Sequence, residues 1–570
     1  MSSLPPAAFS MAPPHDLVVD EKRAKSDLQS PTVEFNALAS PGHDEVEILE
    51  DGALRPGGTP SLYDWENVGL LIHIGAIGVV YGVNSGVVYA VLNNYLYMSA
   101  MLVTTAEALV RTPRSCRMFA AVFSDCYPIF GYRRRPYLML GWAMTFVACF
   151  LMAVLPLGEP FYGDPELVDM DTDEMSAAQL ELVNFDAPDR GIQLMILLMV
   201  ANLGTVIAYG ASDGLMVELA QREAENVRGS VQSHMSVVRN CCGMLGAFLT
   251  GLGLNSPDYG GSFSWSIGFN GVMGVCAVFA FAAVPGCWFF IKEKKSPRLA
   301  MGVFYKDLFK LLQHRVFYQV IAFRFFRQIF SRFGVTAESA IQSTYAQVEP
   351  INEGLASVFS QGVAAFAVYA VRKWGLHWSW QVLVVASQFG IIFFDATAAF
   401  ITIWNVFRAQ WFWLGMPLLE EFTAGIGDFV AALFVVEIAD VGREATIMSL
   451  MATVVQLGSP FAKVMTKSAG SYFEIERKYV ARDDHEVHMQ LSYAYLVAYA
   501  FNILSVVFVV WLPRQKAEAR ALKKSGSQSF WMGVLTVAYM VFAFCWLIMT
   551  NMLSLFDSTS CLRIAGGSGC

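Results

Sequence analysis

The chain has 570 residues and a formal net charge of −9, and 55% of its residues are hydrophobic, 14% aromatic and only 15% charged. A soluble protein of this size carries about 25% charged residues, so the composition excludes an ordinary soluble globular protein. The mean hydropathy of +0.45 and recurring apolar runs of about 20 residues indicate transmembrane helices. The ten cysteines show neither a CxxC pair nor zinc-ligand spacing, which favours packing thiols.

The first 67 residues differ in kind from the rest of the chain. They are rich in Pro, Ser, Asp and Glu and contain no apolar signal-peptide core. Such a composition is typical of a disordered segment. We therefore expect 1–67 to be a disordered cytoplasmic tail, with the first membrane helix as the insertion signal.

Apolar segments after this tail predict twelve transmembrane helices and one more. In chain order the predicted spans are 68–92, 98–123, 137–158, 191–216, 233–254, 264–291, 316–345, 355–372, 378–404, 412–438, 446–468, 490–512 and 530–554. We predict an all-α, polytopic membrane protein. Its predicted divisions are a six-helix bundle at 68–291, a basic cytoplasmic linker at 292–315, a second six-helix bundle at 316–513, and a basic linker, extra helix and tail at 514–570.

The connectors between these spans alternate in charge. The connector 159–190 is acidic, whereas Arg133–Arg135, 292–315, Arg372–Lys373 and 513–529 are basic. Loops rich in Lys and Arg stay in the cytoplasm, so the basic connectors are expected on the cytoplasmic face. If 530–554 spans the membrane, the C-terminal tail is external, and its cysteines, Cys561 and Cys570, can pair in an oxidising space.

The span 98–123 contains three arginines, Arg111, Arg114 and Arg117. Each charge at mid-membrane costs about 2.5–3.5 kcal/mol on insertion scales, so this segment must face a protein interior or a water-filled cavity. Discarding the span would move Arg133–Arg135 to the outside and break the charge alternation. We therefore retain it.

Other ionisable residues also fall at membrane depth, where the default interpretation is a functional pathway. They are Glu107, Asp213, Arg239, Arg324, Arg327, Glu338, Asp395, Glu420, Glu421 and Asp428. Helical spacing places Glu338 on the same side as Arg324 and Arg327. Polar stripes on several helices predict a shared wet cavity, and the alternative is interhelical hydrogen bonding that only stabilises the bundle. The stripes are Gln388, Asp395 and Thr402; Asn202, Tyr209 and Asp213; and Tyr81, Ser85 and Tyr89.

Short repeats indicate how the helices are arranged. Gly78, Gly82 and Gly86 form overlapping GxxxG steps, which permit close helix contact. VELAQ (217–221) follows the fourth span and VEIAD (436–440) follows the tenth. Two six-helix halves around a midplane site are typical of secondary transporters.

Motifs for other activities are missing from the sequence. There is no GxxxxGK[ST] or HExxH motif, which argues against ATP-driven transport and against a zinc metalloprotease. DDHEVH (483–488) is interpreted as a solvated acidic loop, and no basic-aromatic surface points to nucleic acid.

The segment from Pro113 to Trp142, PRSCRMFAAVFSDCYPIFGYRRRPYLMLGW, resembles the signature of the folate-biopterin transporter family, a branch of the major facilitator superfamily. Arg117 stands where that family usually has Lys, which alters hydrogen-bonding shape. The blocks SDGLMVELA (212–220), GSVQS (229–233) and GREATIMSLMAT (442–453) are similar to further family blocks, and the C-terminal sequence resembles the trypanosomatid branch.

The resemblance implies a major-facilitator-type fold and a secondary active transporter of folate or biopterin that works by alternating access. It implies a small-molecule substrate, protons as the coupling ion, no cofactor, and a location in the plasma membrane. It also implies a gating motif in the loop after the second span, formed by Asp125, Gly131, Arg133, Arg134 and Arg135. An S-adenosylmethionine carrier of the same family, a channel and a membrane enzyme remain as alternatives.

Candidate site residues follow from the chemistry of this substrate. A flat pterin ring suits aromatic faces, and the carboxylates of folate suit arginines, whereas buried carboxylates can hold a proton near neutral pH. The candidate substrate-binding residues are Arg117, Arg324, Arg327, Tyr81, Tyr89 and Phe326. The candidate proton-coupling residues are Asp213, Asp395, Asp428 and Glu421. For each aromatic, the alternative is ordinary core packing.

Overall fold

The computed structural model describes residues 51–98, 100–164, 167, 175–553, 556–560 and 562. In these ranges the chain is helical, and its extended pairs are three isolated β-bridges. The predicted all-α class is confirmed. The predicted pairing of Cys561 and Cys570, and residues 1–50 of the predicted tail, lie outside the described residues.

We call residues 68–291 the N-terminal half and residues 316–513 the C-terminal half, after the predicted boundaries. The helices of the N-terminal half are α1 (Val68–Val88), α2 (Ala100–Arg111), α3 (Arg117–Cys126), α4 (Arg135–Val154), α5 (Ala177–Leu180), α6 (Ala187–Ala220), α7 (Ser230–Gly253) and α8 (Gly268–Phe289). A π-helical segment, Tyr89–Tyr95, extends α1. The linker contributes α9 (Met301–Gln313).

The C-terminal half and the region after it follow the same pattern. Their helices are α10 (Arg315–Ser331), α11 (Glu338–Thr344), α12 (Pro350–Ala370), α13 (Trp380–Ile403), α14 (Gln410–Ile438), α15 (Glu444–Gly470), α16 (Arg477–Val480), α17 (His485–Val507), α18 (Lys516–Ser525), α19 (Phe530–Leu553) and α20 (Asp557–Ser560).

Ten helical segments among the described residues are long and apolar enough to cross a membrane, judged by length and composition. They correspond to ten of the thirteen predicted spans. The other predicted spans, 98–123, 316–345 and 412–438, are those richest in ionisable residues, and the last of them is the continuous helix α14.

The other two segments are broken helices. Pro113 lies in a 3-10 turn, Thr112–Cys116, that joins α2 to α3; proline cannot donate the backbone hydrogen bond that a continuous helix needs. The segment 316–345 is interrupted between α10 and α11. The predicted helical alignment of Arg327 with Glu338 is therefore wrong, because helical phase is lost across the break. Glu338 instead has Asp395 as its electrostatic neighbour.

The predicted disordered tail is too long at its C-terminal end. Residues 51–67 pack against the protein, with Ala53 at 1% and Leu62 at 3% exposure. The backbone N–H groups of Leu54 and Arg55 donate to the carbonyl oxygen of Gln221 at 2.9 and 3.1 Å. The composition of 1–67 as a whole concealed this short ordered part.

The basic connectors meet at one end of the helices. Lys523 pairs with Asp440 at 2.6 Å, and Arg520 pairs with Glu225. The backbone N–H of Ser296 donates to the carbonyl of Gly131 at 2.8 Å. Following the charge rule for loops, we call this end the cytoplasmic face.

Helices pack across the halves mainly in three pairs: α3 packs on α15, α6 packs on α15, and α7 packs on α12. The extra helix α19 lies beside the first of these seams. It packs on α15 and α2, with Asn551 Nδ2 donating to Thr112 Oγ1 at 2.7 Å. Trp546 of α19 stacks on Phe461 of α15 at a centroid distance of 5.3 Å. Helix α19 thus contacts both halves.

The predicted close packing at Gly78 and Gly82 is confirmed, because α1 and α7 cross in backbone contact. A Cβ atom added to Gly82 would lie 2.3 Å from the carbonyl oxygen of Gly243, and one added to Gly246 would lie 2.3 Å from that of Val79. Glycine is required at this crossing because any side chain would separate the helices.

We expect Gly82→Ala to force α1 and α7 apart and to destabilise the protein by about 1–3 kcal/mol, the usual range for overpacking. The measurement is the thermal unfolding of the purified protein in detergent. Gly415→Ala in α14 is the matched control, because a Cβ there meets nothing within 4 Å. Equal melting temperatures for the two variants would contradict the close crossing.

Candidate functional site

A cavity of about 370 Å³ opens between the halves. It is lined by Gly78, Tyr81, Gly82, Asn84, Ser85, Val88, Glu107, Val110, Arg111, Arg114, Asn202, Arg239, Asn240, Gly243 and Gln361. All but one of these residues belong to the N-terminal half, and Gln361 of α12 comes from the other. The lining has three arginines and one carboxylate, so its formal charge is positive.

Arginines and tyrosines are interleaved at this cavity. The guanidinium of Arg114 lies 4.4 Å from the centroid of the Tyr81 ring. Arg239 Nη1 donates to the hydroxyl of Tyr209 at 2.7 Å. Arg111, Arg114 and Arg239 line the cavity. These cations and the neighbouring ring faces suit a ligand with both anionic and aromatic parts.

Amide side chains add neutral donors and acceptors to the cavity. Asn84 Nδ2 donates to Asn202 Oδ1 at 3.2 Å. Asn240 and Gln361 also line the cavity. Gln361 approaches α7 so closely that a Cβ on Gly243 would lie 3.2 Å from its Oε1.

Arg117 lies outside the lining of this cavity and forms an ion pair with Asp213. Its guanidinium covers the ring of Tyr209, 3.7 Å from the centroid. The hydroxyl of Ser449, on α15 of the other half, donates to Asp213 Oδ2 at 2.8 Å. A candidate substrate residue and a candidate proton-coupling residue are thus paired, at a point where the two halves meet.

Arg324 and Arg327 lie on α10, away from the lining of this cavity. Arg324 donates through Nη1 to the carbonyl of Ala431 at 2.8 Å and through Nε to that of Met451 at 3.1 Å. Both arginines have Asp428 as an electrostatic neighbour. These contacts make the arginines and Asp428 one mixed-charge group of the C-terminal half.

The two remaining aromatic candidates are separate from the cavity. Phe326 stacks on Phe508 with centroids 5.4 Å apart and 17° between the rings, which is core packing. Tyr89 is 56% exposed and lies in the π-helical segment after α1. Tyr81 is therefore the one of the six substrate candidates that lines this cavity.

The remaining predicted proton-coupling residues, Asp395 and Glu421, have different surroundings. Asp395 lies among other acids, with Glu338 and Glu420 as its electrostatic neighbours. The buried hydroxyl of Tyr499 faces Asp395 from α17. Glu421, in contrast, has Arg332 as a favourable electrostatic neighbour. Asp395 is thus the candidate with acidic rather than basic neighbours.

At the cytoplasmic face, Arg134 is surrounded by three carboxylates. Its guanidinium lies 2.6 Å from Asp125, 3.0 Å from Glu218 and 3.3 Å from Glu444, and the side chain is 1% exposed. Asp125 also accepts hydrogen bonds from the backbone N–H and hydroxyl of Thr446, at 2.8 and 2.7 Å. Because Glu444 and Thr446 belong to α15, this group joins the two halves. We call Asp125, Arg134, Glu218 and Glu444 the gate network.

The other residues of the predicted gating motif have supporting positions. Arg133 lies 3.8 Å from Glu218. Arg135 stacks over the indole of Trp288, 4.5 Å from the centroid, and donates to its carbonyl within the same half. Gly131 adopts a φ of +85° in the turn before the arginines, a conformation that favours glycine. Of the three arginines, Arg134 forms an ion pair with the other half.

A second ion pair joins the halves nearby. Arg228 Nη1 lies 2.8 Å from both carboxylate oxygens of Glu437, and both side chains are 1% exposed. Lys516 of α18 donates to the carbonyl of Arg228 at 3.0 Å. In the same loop Glu223 accepts N–H groups at the start of α7, and burial raises the pKa of its carboxyl to about 7.

Sequence reasoning did not identify Glu218, Glu437, Glu444 or Arg55 as site residues. A signal for two of them was present, because Glu218 and Glu437 occupy equivalent positions in VELAQ and VEIAD. The partners of these glutamates are far away in sequence, so the pairing itself could not be read from the repeat.

On the opposite face, Asp483 of the DDHEVH segment is not simply solvated. Both of its carboxylate oxygens accept from Arg408 at 2.7 Å, and His488 Nε2 lies 2.8 Å away. The hydrogen bonds from Arg408 lower the pKa of Asp483 to about 2. The segment is therefore fixed by local ion pairs.

The arrangement of the helices matches solved structures of transporters. The crystal structure of a D-xylose–proton symporter matches with a TM-score of 0.52 and 14% identity over 79% of this chain and 98% of its own. The major facilitator superfamily proton:xylose symporter XylE bound to 6-bromo-6-deoxy-D-glucose matches with a TM-score of 0.51 and 11% identity over 80% and 98%. The chain has the major facilitator fold.

Sequence comparison adds a family. The model of the BT1 family matches residues 78–160, which include the whole of Pro113–Trp142. Folate transporter 1 of Plasmodium falciparum (isolate 3D7) is 41% identical over 58 residues, which are 10% of this chain and 11% of that relative. The match therefore spans about a tenth of the relative's length. The resemblance to the folate-biopterin transporter family is confirmed in this stretch, and the candidate membrane spans indicate a multi-pass membrane protein.

Arg134→Ala should strongly destabilise the closed cytoplasmic face, because it leaves three carboxylates without their shared cation. Removing one partner of a buried ion pair costs about 3–5 kcal/mol. Arg133→Ala should cost less than ~1 kcal/mol, the usual value for a more exposed pair. The measurement is the melting temperature of each purified variant in detergent.

Uptake and surface abundance of each variant should be measured in addition to its melting temperature, since the arginines also set the topology. Similar losses of stability for Arg133→Ala and Arg134→Ala would remove the special role of Arg134.

Proposed function

We propose that the chain is a secondary active transporter that carries pteridines, folate or biopterin, across the plasma membrane by alternating access, with protons as the coupling ion. The observation that carries this proposal is a polar cavity between two halves whose cytoplasmic ends are held together by the gate network. That combination favours an outward-facing state of a two-state carrier. The BT1 match and the relative named Folate transporter 1 support the substrate class.

The cavity supports this substrate class through its chemistry. The pteridine ring would stack on the face of Tyr81. Its ring nitrogens and amino group would form hydrogen bonds with Asn84, Asn202, Asn240 or Gln361. The carboxylates of folate would find Arg114 and Arg239. An S-adenosylmethionine carrier, in contrast, must accept a sulfonium cation, which a lining with three arginines and one glutamate opposes.

The asymmetry of the lining supports a closing motion. Substrate in the cavity would contact the N-terminal half and Gln361 together, because Gln361 already lies against α7 at the lining. A substrate that contacts both halves can favour one of the two states of a carrier by its differential contacts. A channel would need no such contact from a moving half.

Proton coupling is assigned to the acidic group around Asp395. Three carboxylates with acidic neighbours repel each other, and the repulsion is relieved when a proton binds. Asp213 and Asp428 are less suited, because each has arginine neighbours. Asp395 belongs to the C-terminal half and the arginine-lined cavity mainly to the N-terminal half, so ion and substrate would act on different halves.

The first test separates anion recognition from general damage. We expect Arg239→Gln and Arg114→Gln to weaken folate uptake roughly tenfold or more, the effect of losing a hydrogen bond to a charged group, and to affect uncharged biopterin less. Arg117→Gln is the matched control, since its partner is Asp213, and should impair both substrates equally, whereas Arg117→Lys should retain much of the activity. The measurement is the KM for labelled folate and biopterin in cells, corrected for surface abundance.

Equal losses of both substrates for Arg114→Gln and Arg239→Gln would remove these arginines from substrate recognition. Uptake of S-adenosylmethionine in place of either pteridine would replace the proposed substrate.

The second test concerns the coupling ion. We expect Asp395→Asn to abolish the accumulation of substrate that an imposed pH gradient drives, while exchange of labelled for unlabelled substrate continues. Exchange needs the carrier to cycle with substrate bound but needs no net proton movement. The readout is uptake into proteoliposomes with and without a pH gradient.

Glu421→Gln is the control, because Glu421 has Arg332 to balance it, and it should still respond to the gradient. Unchanged gradient-driven accumulation by Asp395→Asn would assign coupling to another group.

A further inference from the structure

Residues 51–67 form an ordered segment, which we call the strap, on the cytoplasmic face. It is attached to the N-terminal half in two ways. It continues directly into α1, and its backbone bonds to the loop after α6: Asp51 accepts from the N–H of Glu225 at 3.2 Å, and Gln221 accepts from Leu54 at 2.9 Å. The carbonyl of Gly52 accepts a bond from Arg228. The strap therefore moves with the N-terminal half.

The side chain of Arg55 leaves the strap and reaches the other half. It forms an ion pair with Glu444 on α15, whose side chain is 0% exposed. Glu444 uses Oε1 for Arg55 and Oε2 for Arg134. The same oxygen that meets Arg55 also accepts the N–H of Gly442 at 2.9 Å. Arg55 is thus one of two guanidiniums on a fully buried carboxylate.

The strap contributes to the charge balance of the gate network. The gate network contains three carboxylates and only one guanidinium, that of Arg134. Arg133 adds a weaker contact at 3.8 Å. Without Arg55, the buried group would carry excess negative charge, and Glu444 would be repelled from Asp125 and Glu218. Since Glu444 belongs to the C-terminal half and the other two acids to the N-terminal half, that repulsion would act to open the gate.

We propose that the strap is an autoinhibitory element that holds the cytoplasmic gate closed through Arg55. Opening of the cytoplasmic face separates α15 from the N-terminal half and must break the pair between Arg55 and Glu444. Release of the strap therefore lowers the barrier to opening without any change at the substrate cavity. This inference concerns how often the gate opens and does not depend on which substrate is carried.

The test measures the distance between the two halves at the cytoplasmic face in the full-length protein. Spin labels are placed at Val227 and Val441, which lie in loops of the N-terminal and C-terminal halves and are 39% and 71% exposed. Cys241 and Cys545, which are exposed, and the tail cysteines Cys561 and Cys570 are replaced by serine. Double electron–electron resonance spectroscopy then measures the distance between the two labels and the fraction of molecules in which the loops are separated.

We expect Arg55→Ala to raise the separated fraction roughly fivefold or more, as a coupling between two sites typically does. Arg55→Lys keeps the charge, so its separated fraction should lie between those of the parent protein and Arg55→Ala. The matched control is Lys292→Ala, which breaks the strap's other ion pair, with Glu66, on an exposed surface where the side chains are 74% and 57% exposed; it should leave the distances unchanged.

An unchanged distance distribution for Arg55→Ala would overturn the proposal. So would a variant that gives less folded protein but the parental distances in the folded fraction, because the strap would then be a folding element. A similar opening in Lys292→Ala would also overturn it, since the effect would then follow from removing any cation at this face and not from the contact between Arg55 and Glu444. The readout needs no substrate, so a failure here leaves the proposed transport function intact.

Discussion

The burial of one guanidinium among carboxylates from both halves is the interaction on which this architecture depends. Arg134 is 1% exposed and contacts Asp125, Glu218 and Glu444. Such a group is poorly tolerated unless every charge has a partner, because the desolvation of each ion exceeds what a single contact returns. The closed face is therefore held by a set of contacts that is complete only when α15, the α3–α4 turn, the end of α6 and the strap are all in place. Such a set of contacts breaks cooperatively, which suits a carrier with two discrete states.

Much of the fold could be predicted because membrane helices are defined by local composition. The predicted spans coincide with helices, two of them broken, and the basic connectors lie together at one end of these helices. The break in 316–345 was missed because the apolar residues on both sides of Gly334 conceal a local stop that no proline marks. Residues 51–67 were missed because their order comes from contacts with Gln221, Arg228 and Glu444, which are distant in sequence.

The candidate site shows the limit of reading charge from sequence. Membrane depth correctly predicted that Arg114, Arg117, Arg239 and Arg324 face the interior, because lipid exposure would be too unfavourable. It could not predict which would face open space. That outcome depends on the nearest acid: Arg117 has Asp213 within reach, whereas Arg114 and Arg239 lie against tyrosines and leave donors for a ligand. Partners of this kind are set by helix packing, which one sequence does not reveal.

The position of α19 has a consequence for how the protein meets the bilayer. A carrier that rocks about the seam between α3 and α15 would normally expose that seam to acyl chains, which must rearrange at every cycle. In this chain Asn551 and Trp546 place a protein surface there instead, in contact with both sides of the seam. Motion along this side then rearranges contacts between side chains instead of contacts with acyl chains. The opposite seam, between α7 and α12, has no such cover from α19, so bilayer composition would act on the two sides of the molecule unequally.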